Sequence, residues 1–116
     1  MRSNPVLFVA LVGSFWALSA RAEDTPIDIA TDIKGQYFLV EKAGTAANPT
    51  LVVKRAKPGY SYYVKREFDC AAHTVRILGE GESLEEMAAA PSGVEAGPIR
   101  VGSISDQLSR LACPNR

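Results

Sequence analysis

The chain has 116 residues, with 13 basic and 13 acidic side chains, one histidine and two cysteines. This length supports one small domain with a single core. The balanced charge gives no electrostatic reason to expect nucleic acid or an acidic membrane surface as a partner, and no run of basic residues is longer than two.

The first 22 residues have the three-part pattern of a secretory signal peptide. A basic residue lies near the start, an apolar stretch runs from Val6 to Leu18, and Ala20 and Ala22 occupy the two positions that a signal peptidase reads. The alternative is a transmembrane anchor, but an apolar stretch of 13 residues is short against the roughly 20 that a spanning helix needs. We therefore predict cleavage before Glu23.

Cleavage would leave one mature domain, residues 23–116, with 11 basic and 13 acidic side chains because Arg2 and Arg21 leave with the signal. No second long apolar stretch follows, so we expect no integral membrane segment in the mature chain. The predicted location is exported: the periplasm, the cell surface or the extracellular space.

The sequence of the first half of the mature domain predicts β-strands. Residues 23–34 are polar with isolated isoleucines and are expected to form an extended lead-in. Residues 35–41 and 50–55 are rich in aromatic and β-branched side chains, which favour strands. A loop over residues 43–49 separates these two strands.

A turn at Pro58-Gly59 leads into the most regular strand pattern, residues 60–70. Polar and apolar side chains alternate there, with Arg66 as the one exception on the apolar side. The apolar side consists of Tyr62, Val64, Phe68 and Cys70, and the other side of Tyr63, Lys65, Glu67 and Asp69. This alternation indicates a sheet with one covered and one solvated face.

The second half adds two strands, residues 72–78 and 98–102, and two helices. Ser83 has capping-box spacing to an acidic residue and predicts a helix that ends at Ala90, before a proline. Ser103 caps the second helix, whose apolar face consists of Ile104, Leu108, Leu111 and Ala112. The predicted fold class is α+β: an antiparallel sheet of four to six strands with the C-terminal helix packed on one face.

Two cysteines in an exported chain indicate one disulfide, Cys70 to Cys113, because the extracytoplasmic space is oxidising. This bridge would tie the C-terminal helix to the sheet. The alternative is a metal-binding or nucleophilic thiol, but Cys70 and His73 supply only two metal ligands, and a nucleophile needs an unpaired cysteine. We expect His73 to be a partly exposed strand residue. We predict no catalytic residue, no metal ligand and no cofactor.

The segments SYYVKREFDCAAHTVRIL and SISDQLSRLAC resemble the surface-adhesin protein E-like family of Gram-negative bacteria over residues 60–116. The residues that carry the resemblance are Asp69, Cys70 and Arg76 in the strand segment and Ser103, Leu108 and Cys113 in the helical one. It implies an antiparallel sheet tied to a C-terminal helix by a disulfide. It also implies adhesion, that is, binding of a host extracellular-matrix or serum protein, and it implies nothing catalytic.

The leading functional hypothesis is therefore a non-enzymatic, exported binding module. The residues predicted to contact the partner, called here the predicted patch, are Tyr60, Tyr63, Lys65 and Arg66, with Tyr62 beside them. The alternative for the tyrosines is that Tyr62 is core and Tyr63 an ordinary surface residue. An exposed sheet edge would also allow two copies to pair as a homodimer.

A second hypothesis from another class is a periplasmic inhibitor of an enzyme such as a lysozyme, because small disulfide-bonded β proteins serve that role. An enzyme is the third. With a single histidine and no serine in a glycine-flanked elbow, the chain offers no convincing catalytic triad.

Overall fold

A computed structural model of the protein describes residues 24–91 and 95–114. The predicted signal peptide and its cleavage site lie outside the described residues. The fold class is confirmed: a six-stranded antiparallel sheet and a C-terminal helix. The elements are β1 (Thr25–Ile27), β2 (Gln36–Gly44), β3 (Pro49–Lys57), β4 (Tyr60–Asp69), β5 (Thr74–Gly81), α1 (Leu84–Ala89), β6 (Gly97–Pro98) and α2 (Ile104–Ala112).

The strands pair in chain order, each antiparallel to the next. The predicted turn between β3 and β4 is confirmed, with Gly59 at a φ of 75° that favours glycine. Both edge strands are short, and β1 carries Pro26, which suits an edge position. The predicted strand over 98–102 is wrong beyond Pro98: the nitrogen of Ile99 still donates to the carbonyl of His73 at 3.3 Å, but residues 101–102 form a turn.

The connection between β4 and β5 is a turn that contains the histidine. The backbone nitrogen of His73 donates to the carbonyl of Asp69 at 2.8 Å, and the Asp69 carboxylate accepts from the nitrogen of Ala72 at 3.0 Å. His73 has a φ of 62°, a left-handed conformation. Its predicted partial exposure is confirmed, but its predicted place in a strand is wrong, because the strand begins at Thr74, two residues later than predicted.

The core lies between the sheet and α2, and we call this side of the sheet the helix face. Phe68 on β4 and Leu108 on α2 are both fully buried, which confirms the predicted apolar side of β4. The other core residues are Ile29, Tyr37, Leu51, Val53, Ile99, Ala112 and Cys113. Leu111 is 44% exposed, so its predicted place on the apolar face of the helix is wrong.

Helix α2 is anchored at both ends. At its start, the Ser103 hydroxyl accepts from the nitrogen of Asp106 at 3.0 Å, which confirms the predicted cap. At its end, the disulfide between Cys70 and Cys113 is present, with Cα atoms 5.7 Å apart. Neither cysteine therefore has a free thiol. The helix is held against the sheet by a covalent bond and by its apolar face.

Helix α1 packs on the opposite face of the sheet. Gly79 and Gly81 on β5 lie across from Lys65 and Tyr63, whose side chains point away from the helix face. A Cβ added to Gly81 would lie 2.6 Å from the Cβ of Glu86 on α1, so the glycines allow the helix to approach closely. The second face is thus partly covered too, a feature that the sequence did not predict.

We predict that Gly79→Ala lowers the free energy of unfolding by about 1–3 kcal/mol. An added Cβ would overlap the backbone carbonyl oxygen of Met87 on α1, which cannot rotate away as a side chain can. Gly97→Ala is the matched control, because no atom lies within 4 Å of its added Cβ. Urea unfolding of both variants checks the prediction, and equal stability of the two would contradict it.

Candidate functional site

Three side chains form a row across the helix face, which we call the tyrosine–arginine row: Tyr37, Arg55 and Tyr62. The strand register places Tyr37 on β2 directly opposite Arg55 on β3, and Arg55 directly opposite Tyr62 on β4. Side chains at directly paired positions of an antiparallel sheet point to the same face and are close enough to interact. The row thus brings two aromatic rings and a cation together on one face of the sheet, with the Tyr37 ring buried in the core.

One end of the row is fixed by Asp32, from the segment between β1 and β2. Its Oδ2 accepts hydrogen bonds from Arg55 Nε at 2.6 Å and from the Tyr37 hydroxyl at 2.7 Å. Arg55 Nε also donates to the Tyr37 hydroxyl at 3.2 Å, and its guanidinium lies 5.9 Å from the Tyr37 ring centroid. The side chains of Arg55 and Asp32 are only 29% and 21% exposed. The row is therefore held in one arrangement by a shielded ion pair.

These contacts change the titration of all three groups. The hydrogen bonds from Arg55 and Tyr37 hold the pKa of Asp32 well below its usual range. The hydrogen bond to Asp32 raises the pKa of Arg55 in turn. Burial, followed by the hydrogen bond to Asp32, raises the pKa of Tyr37. At neutral pH the cluster thus consists of one carboxylate, one guanidinium and one neutral phenol. Their mutual hydrogen bonds fix the orientation of the three side chains.

At the other end of the row, Tyr62 contacts Glu80 and a neighbouring tyrosine, Tyr60. The Tyr62 hydroxyl donates to Glu80 Oε1 at 3.0 Å, and this hydrogen bond raises the pKa of Tyr62. The rings of Tyr60 and Tyr62 stack with centroids 6.3 Å apart and planes inclined by 8°. Tyr60 is 41% exposed, and Tyr62 is half-buried but not part of the core. The pair presents an accessible aromatic surface on the helix face.

Arg66 lies on the same face, closer to α2. It is half-buried, and its Nε donates to the Ser105 hydroxyl on α2 at 3.2 Å. Burial lowers the pKa of Arg66. The sequence pattern placed Arg66 on the apolar side of β4 as the one exception, and the structure confirms that placement.

A groove of about 620 Å³ opens beside the row, between the β1–β2 edge and the segment that carries Asp32. Its apolar wall includes Pro26, Ile27, Ile33 and Phe38, and Asp32 belongs both to this groove and to the cluster described above. The volume falls within the range of ligand-binding clefts.

The structure divides the predicted patch between two faces. Tyr60 and Arg66 lie on the helix face, whereas Tyr63 and Lys65 point to the opposite face, next to α1. A partner that binds one face would therefore contact two of the four. The patch itself stays a prediction.

Sequence reasoning missed Arg55 and Asp32. The signal for Arg55 was present, because the alternation that places Leu51 and Val53 in the core continues to Arg55 on the same face. Asp32 carried no such signal, since it lies outside any strand in a segment predicted only as extended.

Within the described ranges, no group of three or more histidine, cysteine, aspartate or glutamate side chains is placed to hold a metal ion. Nor does any helix in that part of the chain have the length and apolar character needed to cross a membrane.

Comparison with known proteins finds no matching family model, no matching curated protein and no matching solved structure.

We predict that Asp32 stabilises the fold only above acidic pH. Because its pKa is lower in the folded than in the unfolded chain, where it is about 3.9, its contribution is fully present above the unfolded value. The contribution is lost as the pH falls toward the folded value. Urea unfolding of wild type and Asp32→Asn between pH 7 and pH 2 should give a constant difference above about pH 5, and a shrinking one below it.

Asp28→Asn is the control for this prediction, because Asp28 carries the same charge on the same segment but is exposed. Its difference from wild type should be small across the range. A difference for Asp32→Asn that does not change with pH would contradict the prediction.

Proposed function

We propose that this chain is an exported, non-enzymatic protein that binds another protein through the helix face of its sheet. The surface-adhesin E-like resemblance of residues 60–116 supports this proposal and suggests a host extracellular-matrix or serum protein as the partner. Export is supported by the signal-peptide pattern of the sequence and by the Cys70–Cys113 disulfide, because disulfides persist in oxidising compartments.

The observation that carries the proposal is the stacked pair Tyr60–Tyr62 beside Arg55. Tyrosine and arginine are enriched among the residues that contribute most to protein–protein binding. A tyrosine offers a large contact area with few rotatable bonds, so little conformational entropy is lost when it is immobilised by a partner.

The row is also organised before any partner arrives. Arg55 is held by Asp32, and Tyr62 is held by Glu80, so neither side chain needs to be ordered on binding. Ordering interface side chains is one of the main costs of association. A preorganised surface with accessible rings therefore favours recognition of a folded or extended partner protein.

The test is a binding measurement by surface plasmon resonance against a panel of extracellular-matrix and serum proteins. We expect Tyr60→Ala and Tyr62→Ala each to weaken binding by about tenfold, because truncated hot-spot residues cost more than about 1 kcal/mol. Tyr63→Ala is the matched control, since Tyr63 is a tyrosine of the same strand on the opposite face.

Two results would count against the proposal. One is the absence of binding to every protein of the panel. The other is a binding partner whose affinity falls with Tyr63→Ala and not with Tyr60→Ala or Tyr62→Ala, because contact would then lie on the face that α1 partly covers.

Pairing of two copies through a sheet edge stays a prediction, and size-exclusion chromatography of the purified protein tests it.

A further inference from the structure

Arg66 differs from the other arginines of the described chain. Three of them lie beside a carboxylate: Arg55 with Asp32 at 2.6 Å, Arg76 with Glu67 at 2.9 Å and Arg110 with Asp106 at 3.3 Å. Arg100 is exposed to solvent. Arg66 is half-buried, yet within residues 24–91 and 95–114 no carboxylate oxygen lies within 4.0 Å of its guanidinium.

The hydrogen-bonding capacity of Arg66 is largely unused. A guanidinium has five N–H donors in a planar fork. In the described part of the chain, Arg66 makes one side-chain hydrogen bond, from Nε to the Ser105 hydroxyl, and its two terminal nitrogens have none. A charged group that is partly removed from water and incompletely hydrogen-bonded is costly, and an added anion offsets that cost.

The position of Arg66 suits contact with a partner. It lies on the helix face, four residues after Tyr62 and on the same side of β4. The bond to Ser105 ties its Nε to α2, which is itself held by the disulfide. The residue is half-buried, so part of its surface remains exposed to solvent.

We infer that Arg66 is an anion-binding residue that receives a carboxylate of the bound partner through its terminal nitrogens. This inference rests on the proposed function and specifies the chemistry of the partner: an acidic side chain or a C-terminal carboxylate placed beside aromatic contacts. Arginine suits this role because its fork matches the two oxygens of a carboxylate.

The first test needs no identified partner. Acetate is titrated into the exported, purified protein, the arginine Nε–H signals are followed by NMR, and acetamide serves as the neutral probe of the same shape. We expect a saturable shift of the Arg66 signal with acetate and none with acetamide. A shift that is linear in acetate and no larger than that of Arg100 would overturn the inference.

Two further probes distinguish a side-chain carboxylate of the partner from its C-terminal carboxylate. N-acetylglutamate amide carries a side-chain carboxylate, and N-acetylglycine carries a C-terminal one. Saturation by either supports the inference, and the tighter probe identifies the source. Saturation by neither overturns it.

The second test uses a partner found in the panel. We expect Arg66→Gln to weaken its binding by about tenfold or more, since a hydrogen bond to a charged group contributes about 1.5–3 kcal/mol. Arg66→Lys keeps the charge without the fork and should recover part of the loss. Arg100→Gln, which removes an exposed arginine, should leave binding unchanged.

The two proposals fail in distinguishable ways. If a partner binds wild type and Arg66→Gln equally, the inference about Arg66 is overturned and the proposed function stands. If no panel protein binds, the proposed function fails, and the acetate titration of wild type still decides whether Arg66 binds carboxylates.

Discussion

Removal of both cysteines, as Cys70→Ala with Cys113→Ala, is expected to lower the free energy of unfolding by about 4 kcal/mol. The bridge joins positions 43 residues apart, so the loss of the loop constraint gives the unfolded chain considerable entropy. A domain of this size has a total stability of roughly 5–10 kcal/mol. Much of its stability therefore depends on one covalent bond, and the unfolding midpoint should fall by roughly 20 °C.

Urea and thermal unfolding of three samples tests this expectation: oxidised wild type, wild type with reductant, and the double variant. The reduced wild type separates loss of the bond from the effect of the alanine substitutions, because its cysteine side chains are intact. A loss of less than about 1 kcal/mol in both altered samples would contradict the entropic account, and would show that the contacts of α2 alone hold it to the sheet.

Leu108→Ala is expected to lower the free energy of unfolding by about 2–5 kcal/mol. Leu108 is fully buried between α2 and the sheet, and its truncation removes apolar burial and leaves a cavity. Leu111→Ala makes the same chemical change in the same helix at a side chain that is 44% exposed. It should cost less than about 1 kcal/mol.

Urea unfolding of both leucine variants at neutral pH measures the difference directly. The helix propensity lost or gained is the same for both substitutions, so the difference reports burial alone. Equal effects would mean that α2 lies on the sheet with its predicted apolar stripe inward. That would contradict the observed rotation of the helix.

The disulfide also bears on the proposed function. It holds α2 on the sheet from the end that contains Cys113, while the tyrosine–arginine row begins eight residues before Cys70 on β4, at Tyr62. The helix therefore stabilises the core on the helix face, to which Tyr37 of the row also belongs.

Several features were determined by the sequence alone. The alternation in β4 placed Phe68 and Arg66 on the same side of the strand, because strand geometry turns every second residue to the same face. Ser83 and Ser103 marked both helix starts, because a hydroxyl that satisfies a free backbone nitrogen is a local requirement. Two cysteines in a chain with a predicted export signal were enough to predict the bridge.

The tertiary structure decided what depends on contacts between distant segments. Arg55 donates a hydrogen bond to Asp32, which lies 23 positions earlier in the chain. No local sequence pattern predicts that contact. Gly79 accommodates α1 only because the helix folds back over its own strand. His73 takes a turn conformation that its apolar neighbours obscured.

The rotation of α2 shows the limit most clearly. Its hydrophobic spacing predicted Leu111 inward together with Leu108 and Ala112. Leu108 and Ala112 are buried, but Leu111 is 44% exposed, and Ser109 and Cys113 are buried instead. Ser109 is buried without cost to its hydroxyl, which donates to the Asp106 carbonyl at 2.7 Å. Periodicity fixes that a helix has an apolar side, whereas a covalent tie and close packing fix which side faces the sheet.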